Sequence, residues 1–179
     1  MNQNNSFKLQ SYVDMILGSI AVILSMLALF YPEITITTMI LIASLALFIL
    51  SLPRIITGIF LIDLPNGLRA LNAISGSIAL VVSTVALLNT NLETQALIYL
   101  ISLGLVLIGT VRLSIGIIFK IFPSWIRTLS STAGCFTIII GVLPFIFPDF
   151  ESLELILMIS ISLLLNGVIR IIQGLTKPK

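Results

Sequence analysis

Six apolar stretches, at about residues 12–30, 36–60, 70–89, 94–119, 128–147 and 152–174, are each long enough to cross a membrane. A hydrocarbon core of ~30 Å needs roughly 20 helical residues. Backbone N–H and C=O groups find no water there, so a crossing segment must be a helix or part of a closed barrel. The continuous apolar runs lack the alternation of barrel strands and predict helices. With 58% apolar and 9% charged residues and a mean hydropathy of +1.22, the chain lies far from globular usage. The expectation is an all-α integral membrane protein, residues 1–179 forming a single membrane domain of six transmembrane helices with short connections. The first stretch follows Lys8 and has the length of a signal peptide, but "LALFYPEIT" offers no small-x-small cleavage pattern, so a retained helix is expected.

The apolar runs are interrupted at a fixed interval. Arg54 in "LPRIITGIF", Arg112 in "GTVRLSIGIIF" and Arg170 in "GVIRIIQGL" are 58 residues apart, and Gly58, Gly116 and Gly174 follow at the same offset. The period divides the chain into repeats at about 8–65, 66–123 and 124–179. Each is an in–out–in hairpin, and parallel repetition of three hairpins predicts pseudo-threefold symmetry about an axis along the membrane normal. Small residues form two stripes. In the odd helices they are Gly18, Ala21, Ser25 and Ala28, then Gly76, Ala79, Ser83 and Ala86, then Gly134, Thr137 and Gly141, with Pro144 completing the third set. In the even helices they recur every seven residues: Ser44, Ser51, Gly58; Ser102, Gly109, Gly116; Ser160, Gly167, Gly174. Small residues at such spacing let helices approach closely in lipid, so the stripes read as packing surfaces.

The charges sort by side. Lys8, Arg69, Lys120, Arg127, Lys177 and Lys179 fall at the same ends of the helices as the three repeat arginines. The opposite turns carry Glu33, Glu93, Asp149, Glu151 and Glu154 and no basic residue. The positive-inside rule makes the basic face cytoplasmic, with both termini inside and the plasma (inner) membrane as the expected location. Trp125 fits an interfacial anchor.

Arg54, Arg112 and Arg170 lie on the small-residue face of the even helices, about two turns from the helix end, and two readings stand. They snorkel to the cytoplasmic interface as structural anchors, or they line an anion or lipid-headgroup site. A helix C-terminus favours a cation by about 0.3–1 kcal/mol. Convergence to about 8 Å at an effective dielectric of ~20 would cost roughly 2 kcal/mol of repulsion per pair. Compensation could come from Asp14 and its equivalents Asn72 and Ser130, which read equally as helix N-caps, or from an anion held bidentately.

The chemistry left out is broad. Histidine is absent and Cys135 is the single cysteine, so histidine metal sites, proton shuttles, disulfides and Ser-His or Cys-His pairs are excluded within the chain. Cys135 reads as a packing residue. No Asp, Glu, Lys or His sits mid-span, which removes the usual carboxylate relay of proton-coupled transporters. Pro53 and Pro144 are the mid-span prolines and read as kinks. No enzyme, cofactor, metal or nucleic-acid partner is expected; membrane lipids are, with a homo-oligomer or the subunits of a membrane complex as further partners.

The run "ILGSIAVILSMLALFYPEIT" followed by "PRIITGIF", the Gly18, Gly76 and Gly134 starts, the turns at Pro32 and Pro148 and the Arg-x-x-x-Gly endings resemble the HdeD-like family of short-repeat membrane proteins over residues 12 to 175. Repeat 2 departs at its turn, "NTNLET", which lacks the proline. The resemblance implies a six-helix inner-membrane protein, associated in some members with acid resistance. Three functional readings follow: a stress-related pore or barrier whose outward carboxylates neutralise in acid, an accessory subunit of a larger membrane complex, and an anion channel or lipid-binding protein using the three arginines.

Overall fold

The computed structural model describes residues 3–30, 36–60, 65–89, 92–118 and 123–176, with side chains described from Ser11 onward. Lys8, Pro32, Glu33, Lys120, Lys177 and Lys179 lie outside the described side chains. Six helices fill the described chain: α1 (Gln3–Phe30), α2 (Ile36–Phe60), α3 (Asn66–Leu88), α4 (Thr94–Ile117), α5 (Ser124–Ile146) and α6 (Ser152–Thr176). All six contain a segment long and apolar enough to cross a membrane, Ser11–Phe30 in the case of α1. The protein is therefore an all-helical, multi-pass membrane protein.

Helix α2 has the expected bounds, whereas α3 and α5 start four residues earlier than hydropathy places them. The cause is local. Pro65 and Pro123 sit at the N-cap positions with φ of −50° and −52°, near the value that the proline ring enforces. Each proline carbonyl accepts the first helical bonds, Pro65 from Leu68 and Arg69 and Pro123 from Ile126 and Arg127. Leu68 and Ile126 are buried in these first turns, so polar neighbours such as Asn66 and Ser124 are carried into the helix. Hydropathy alone misses a polar first turn that is anchored by one apolar residue.

The even helices form the interior. Helices α2, α4 and α6 touch one another, and each odd helix lies against two of them: α1 on α6 and α2, α3 on α2 and α4, α5 on α4 and α6. Burial follows, the even helices being buried over a larger share of their apolar length than the odd ones. The most extensive pairings are α4 with α5, α1 with α6 and α2 with α3. Two of these join successive repeats, and the third brings the last helix back onto the first.

Glycine makes these pairings possible. A Cβ on Gly58 would lie 2.6 Å from the Ala73 nitrogen, one on Gly116 2.6 Å from the Arg127 carbonyl oxygen and one on Gly174 3.0 Å from that of Ser11. From the other side, a Cβ on Gly134 would stand 2.6 Å from the Leu113 nitrogen and one on Gly18 3.0 Å from the Gly167 oxygen. The two stripes of small residues are thus the two halves of one kind of interface, even helix against odd helix. Inside the triangle of even helices, Ile40, Ile98 and Ile156, then Leu47, Leu105 and Leu163, are at most 1% exposed and belong to one continuous apolar cluster.

These contacts separate two kinds of glycine. Gly58→Ala drives a methyl into the backbone of α3 and should lower stability in detergent by about 1–3 kcal/mol, as overpacking does. At Gly104 the added methyl meets the side chain of Leu47, with Cδ2 at 2.7 Å, and no backbone atom is among its nearest contacts, so Gly104→Ala should cost less than Gly58→Ala. Equal losses in thermal unfolding would contradict the backbone-contact account.

Candidate functional site

One turn beyond Leu50 and Ile108 on the interior face of α2 and α4, the apolar filling gives way to charge. Arg54, Arg112 and Arg170 are 3%, 3% and 8% exposed. All three pairs of these arginines interact electrostatically with one another. They are buried inside the bundle and do not lie on its outer surface.

Each arginine solves its burial differently. Arg54 Nη2 donates to the Ile108 carbonyl at 3.2 Å. Arg112 Nη2 donates at 2.5 Å to the carbonyl of Asn166, the residue 58 positions after Ile108, and its Nε donates to the Asn166 side-chain oxygen. Both thereby reach the helix turn just before the next repeat's arginine. The position that would serve Arg170 in this way is Leu50, and Arg170 pairs instead with Asp14: Nη1 lies 2.9 Å from Oδ1, with both side chains buried.

Asp14, Asn72 and Ser130 were candidates both for arginine partners and for N-caps. The cap positions of α3 and α5 are Pro65 and Pro123, neither with a side-chain cap bond, so Asn72 and Ser130 lie well inside their helices and the cap reading is corrected. Asn72 Nδ2 donates to the Leu68 carbonyl at 2.9 Å, and Ser130 Oγ accepts from Gln173 Nε2 at 3.1 Å. Among the described residues, Asp14 is the one of the three that meets an arginine.

Two groups of residues escaped sequence reasoning. Asn166 occupies the register position of Leu50 and Ile108, and its Nδ2 donates to Thr137 Oγ1 at 2.9 Å and to the Ser162 carbonyl at 2.8 Å while its oxygen receives Arg112. A polar residue where the repeat elsewhere places apolar ones was the available signal. Arg69 and Arg127, assigned to loops, are in the first turns of α3 and α5 and donate through Nε and Nη2 to the last carbonyls of the preceding helices. Arg69 reaches Gly58 and Ile59, and Arg127 reaches Gly116 and Ile117, at 3.2–3.3 Å. They satisfy C-terminal carbonyls that lack helical partners. At the corresponding place in α1, Ser11 Oγ donates to the Gly174 carbonyl.

The account of donors does not close. Arg54 Nε and Nη1, Arg112 Nη1 and Arg170 Nε are buried and have no hydrogen-bond partner. An unsatisfied buried donor costs about 1–3 kcal/mol, more when charged, and burying an unpaired charge is costly enough that proteins nearly always compensate it. Three guanidinium groups share one described carboxylate. No group of three or more His, Cys, Asp or Glu that could hold a metal occurs among the described residues.

The model of the family described as short repeat of unknown function (DUF308) matches residues 16–88 and 132–179. The chain belongs to this family. Its likeness to HdeD-type proteins is consistent with DUF308 membership. The matched segments contain Arg54, Arg170 and Asn166, while Asp14 and the α4 arginine Arg112 fall outside them. Comparison with curated proteins returned no match, and comparison with solved structures returned none.

Replacing Asn166 by leucine, which copies the first repeat into the third of this DUF308 protein, deprives Arg112 of a side-chain acceptor and Thr137 of a donor. Chemical unfolding should show a loss of about 1–3 kcal/mol. Unchanged stability would mean that Arg112 is compensated by another group.

Proposed function

We propose that this DUF308 protein binds an anion between α2, α4 and α6, through Arg54, Arg112 and Arg170, at the end of the bundle that carries its basic residues. The observation that carries this reading is the set of four buried guanidinium nitrogens without partners, in a cluster where three positive side chains face one described carboxylate. Oriented N–H donors on fixed helices are suited to a charge-assisted contact with an oxyanion. The interior on the other side of the cluster supports a site rather than an open pore, because the layers of Ile40, Ile98 and Ile156 and of Leu47, Leu105 and Leu163 leave a dry, apolar plug. Entry is then from the basic end.

In this reading the three hairpins surround a pseudo-threefold axis, which accounts for contacts recurring every 58 residues and for α6 packing on α1. The basic end faces the cytoplasm and the protein resides in the plasma membrane, with both termini inside. Membrane lipids are its immediate partners, and no catalytic step or resident cofactor is invoked. The acid-resistance role implied by the resemblance to HdeD-type proteins attaches to the opposite end, where Glu93, Asp149, Glu151 and Glu154 are exposed. An accessory role in a membrane complex is compatible with the same site.

Thermal unfolding of the purified protein in a zwitterionic detergent tests the anion reading. A ligand at a hundred times its Kd stabilises the folded state by about 2.7 kcal/mol, so oxyanions should raise the melting temperature of the wild type at constant ionic strength. Arg54→Gln should remove that dependence. Arg69→Gln, which loses only a helix cap, should melt lower yet keep the full response. An anion response unaffected by Arg54→Gln, or none in the wild type, would refute the assignment.

A further inference from the structure

Resting on that reading, we infer that the anion is a tetrahedral dianion of the phosphate type, a phosphate monoester or free hydrogen phosphate, and that Arg54 is its principal ligand. Charge gives the first reason. Arg54, Arg112 and Arg170 against Asp14 leave two positive charges among the described residues of the cluster. A dianion cancels both, whereas chloride or a phosphodiester headgroup, each carrying one negative charge, leaves one buried charge uncompensated.

The arrangement of free donors gives the second reason. They belong to three side chains on three different helices: Nε and Nη1 of Arg54, Nη1 of Arg112 and Nε of Arg170. Satisfying nitrogens that arrive from three directions needs an acceptor whose oxygens also point in several directions. A phosphoryl group with three terminal oxygens does this, while a planar carboxylate or nitrate presents its oxygens in one plane. Guanidinium is the side chain best matched to such oxygens.

The third reason is that two of the three arginines are already held. Asn166 takes the Nε and Nη2 of Arg112, and Asp14 takes Nη1 of Arg170. Arg54 makes a single bond, to the Ile108 carbonyl, and keeps two nitrogens for a ligand. Two ligand groups are preset and one is the main contact, so most of the cost of ordering the site is met before binding. Arg54 also follows Pro53 within α2 and packs by its Cβ near Gly76, which limits how far its helix can give way.

The experiment uses the full chain, stripped of lipid and placed in nanodiscs of phosphatidylcholine, phosphatidylcholine with phosphatidic acid, or phosphatidylcholine with phosphatidylglycerol. Melting temperature and bound ³²P-phosphate are read with phosphate, sulfate, nitrate and chloride at equal ionic strength. Phosphate should bind and stabilise in plain phosphatidylcholine, sulfate should compete with it, and chloride and nitrate should act at least ten times more weakly. If phosphatidic acid stabilises the protein and blocks free phosphate, the monoester comes from a lipid; if it has no effect while phosphate binds, the source is soluble phosphate. Either result supports the dianion. If phosphatidylglycerol or chloride matches phosphate, the dianion inference falls while the anion site stands. If no anion has an effect, both fall.

Two variants remove the ambiguity of a folding defect. Arg54→Gln should weaken phosphate binding at least tenfold. Asn166→Asp places a second carboxylate beside Arg112 and lowers the net charge of the cluster to one. It loses the same amide bonds to Thr137 and Ser162 as Asn166→Leu, and it should weaken phosphate binding at least tenfold relative to that variant, a difference that a purely structural role for Asn166 does not produce. Unchanged phosphate affinity in Asn166→Asp would overturn the charge-matching argument even if Arg54→Gln failed to fold.

Discussion

Apolar helices in lipid gain little from hydrophobic association, because lipid tails are as apolar as leucine. What holds this bundle together is therefore contact at short range, and its closest points are glycines facing another helix's backbone. Gly58 against Ala73, Gly116 against Arg127 and Gly174 against Ser11 set the spacing of even and odd helices at one end of the bundle. The same closeness fixes the interior. Once each odd helix is seated between two even ones, α2, α4 and α6 must face one another, and whatever their inner faces carry is brought to a common centre.

Over most of its length that centre is filled by isoleucine and leucine and needs no further account. At the arginine level it becomes an electrostatic problem. A guanidinium within a membrane is tolerated when it finds a partner or water, and the helices provide partners unevenly: a backbone carbonyl for Arg54, a side chain and carbonyl for Arg112, a carboxylate for Arg170. Packing energy keeps the three together, and electrostatics acts against it. Three guanidinium groups against one described carboxylate leave net positive charge that the described protein groups do not cancel.

Periodicity made much of this legible. Six helices, the 58-residue repeat and the two small-residue stripes follow from residue types at fixed intervals, and the stripes proved to be surfaces that meet. That Arg54, Arg112 and Arg170 point inward was not decidable, because Ser51 and Gly58 around Arg54 suit a guanidinium lodged between helices as well as one passing over them. Hydropathy also failed at polar helix starts. It assigned Arg69 and Arg127 to loops, since it has no means of representing a proline that starts a helix or an arginine that donates back to the carbonyls of the helix before it.

The least legible feature was also the most informative, namely where the repeats cease to be equivalent. At the register of Leu50, Ile108 and Asn166 only the third repeat offers an amide, and at that of Asp14, Asn72 and Ser130 only the first offers an acid. Because α6 packs against α1, these two exceptions come together at one side of the cluster and immobilise Arg112 and Arg170. Three identical repeats would leave three arginines each bonded to a backbone carbonyl and a net charge of three. Two substitutions convert that arrangement into one with two arginines held by side chains, one charge removed, and Arg54 left with two unpartnered donors against one each on Arg112 and Arg170. Loss of equivalence among the repeats is thus what makes the surroundings of the three arginines unequal.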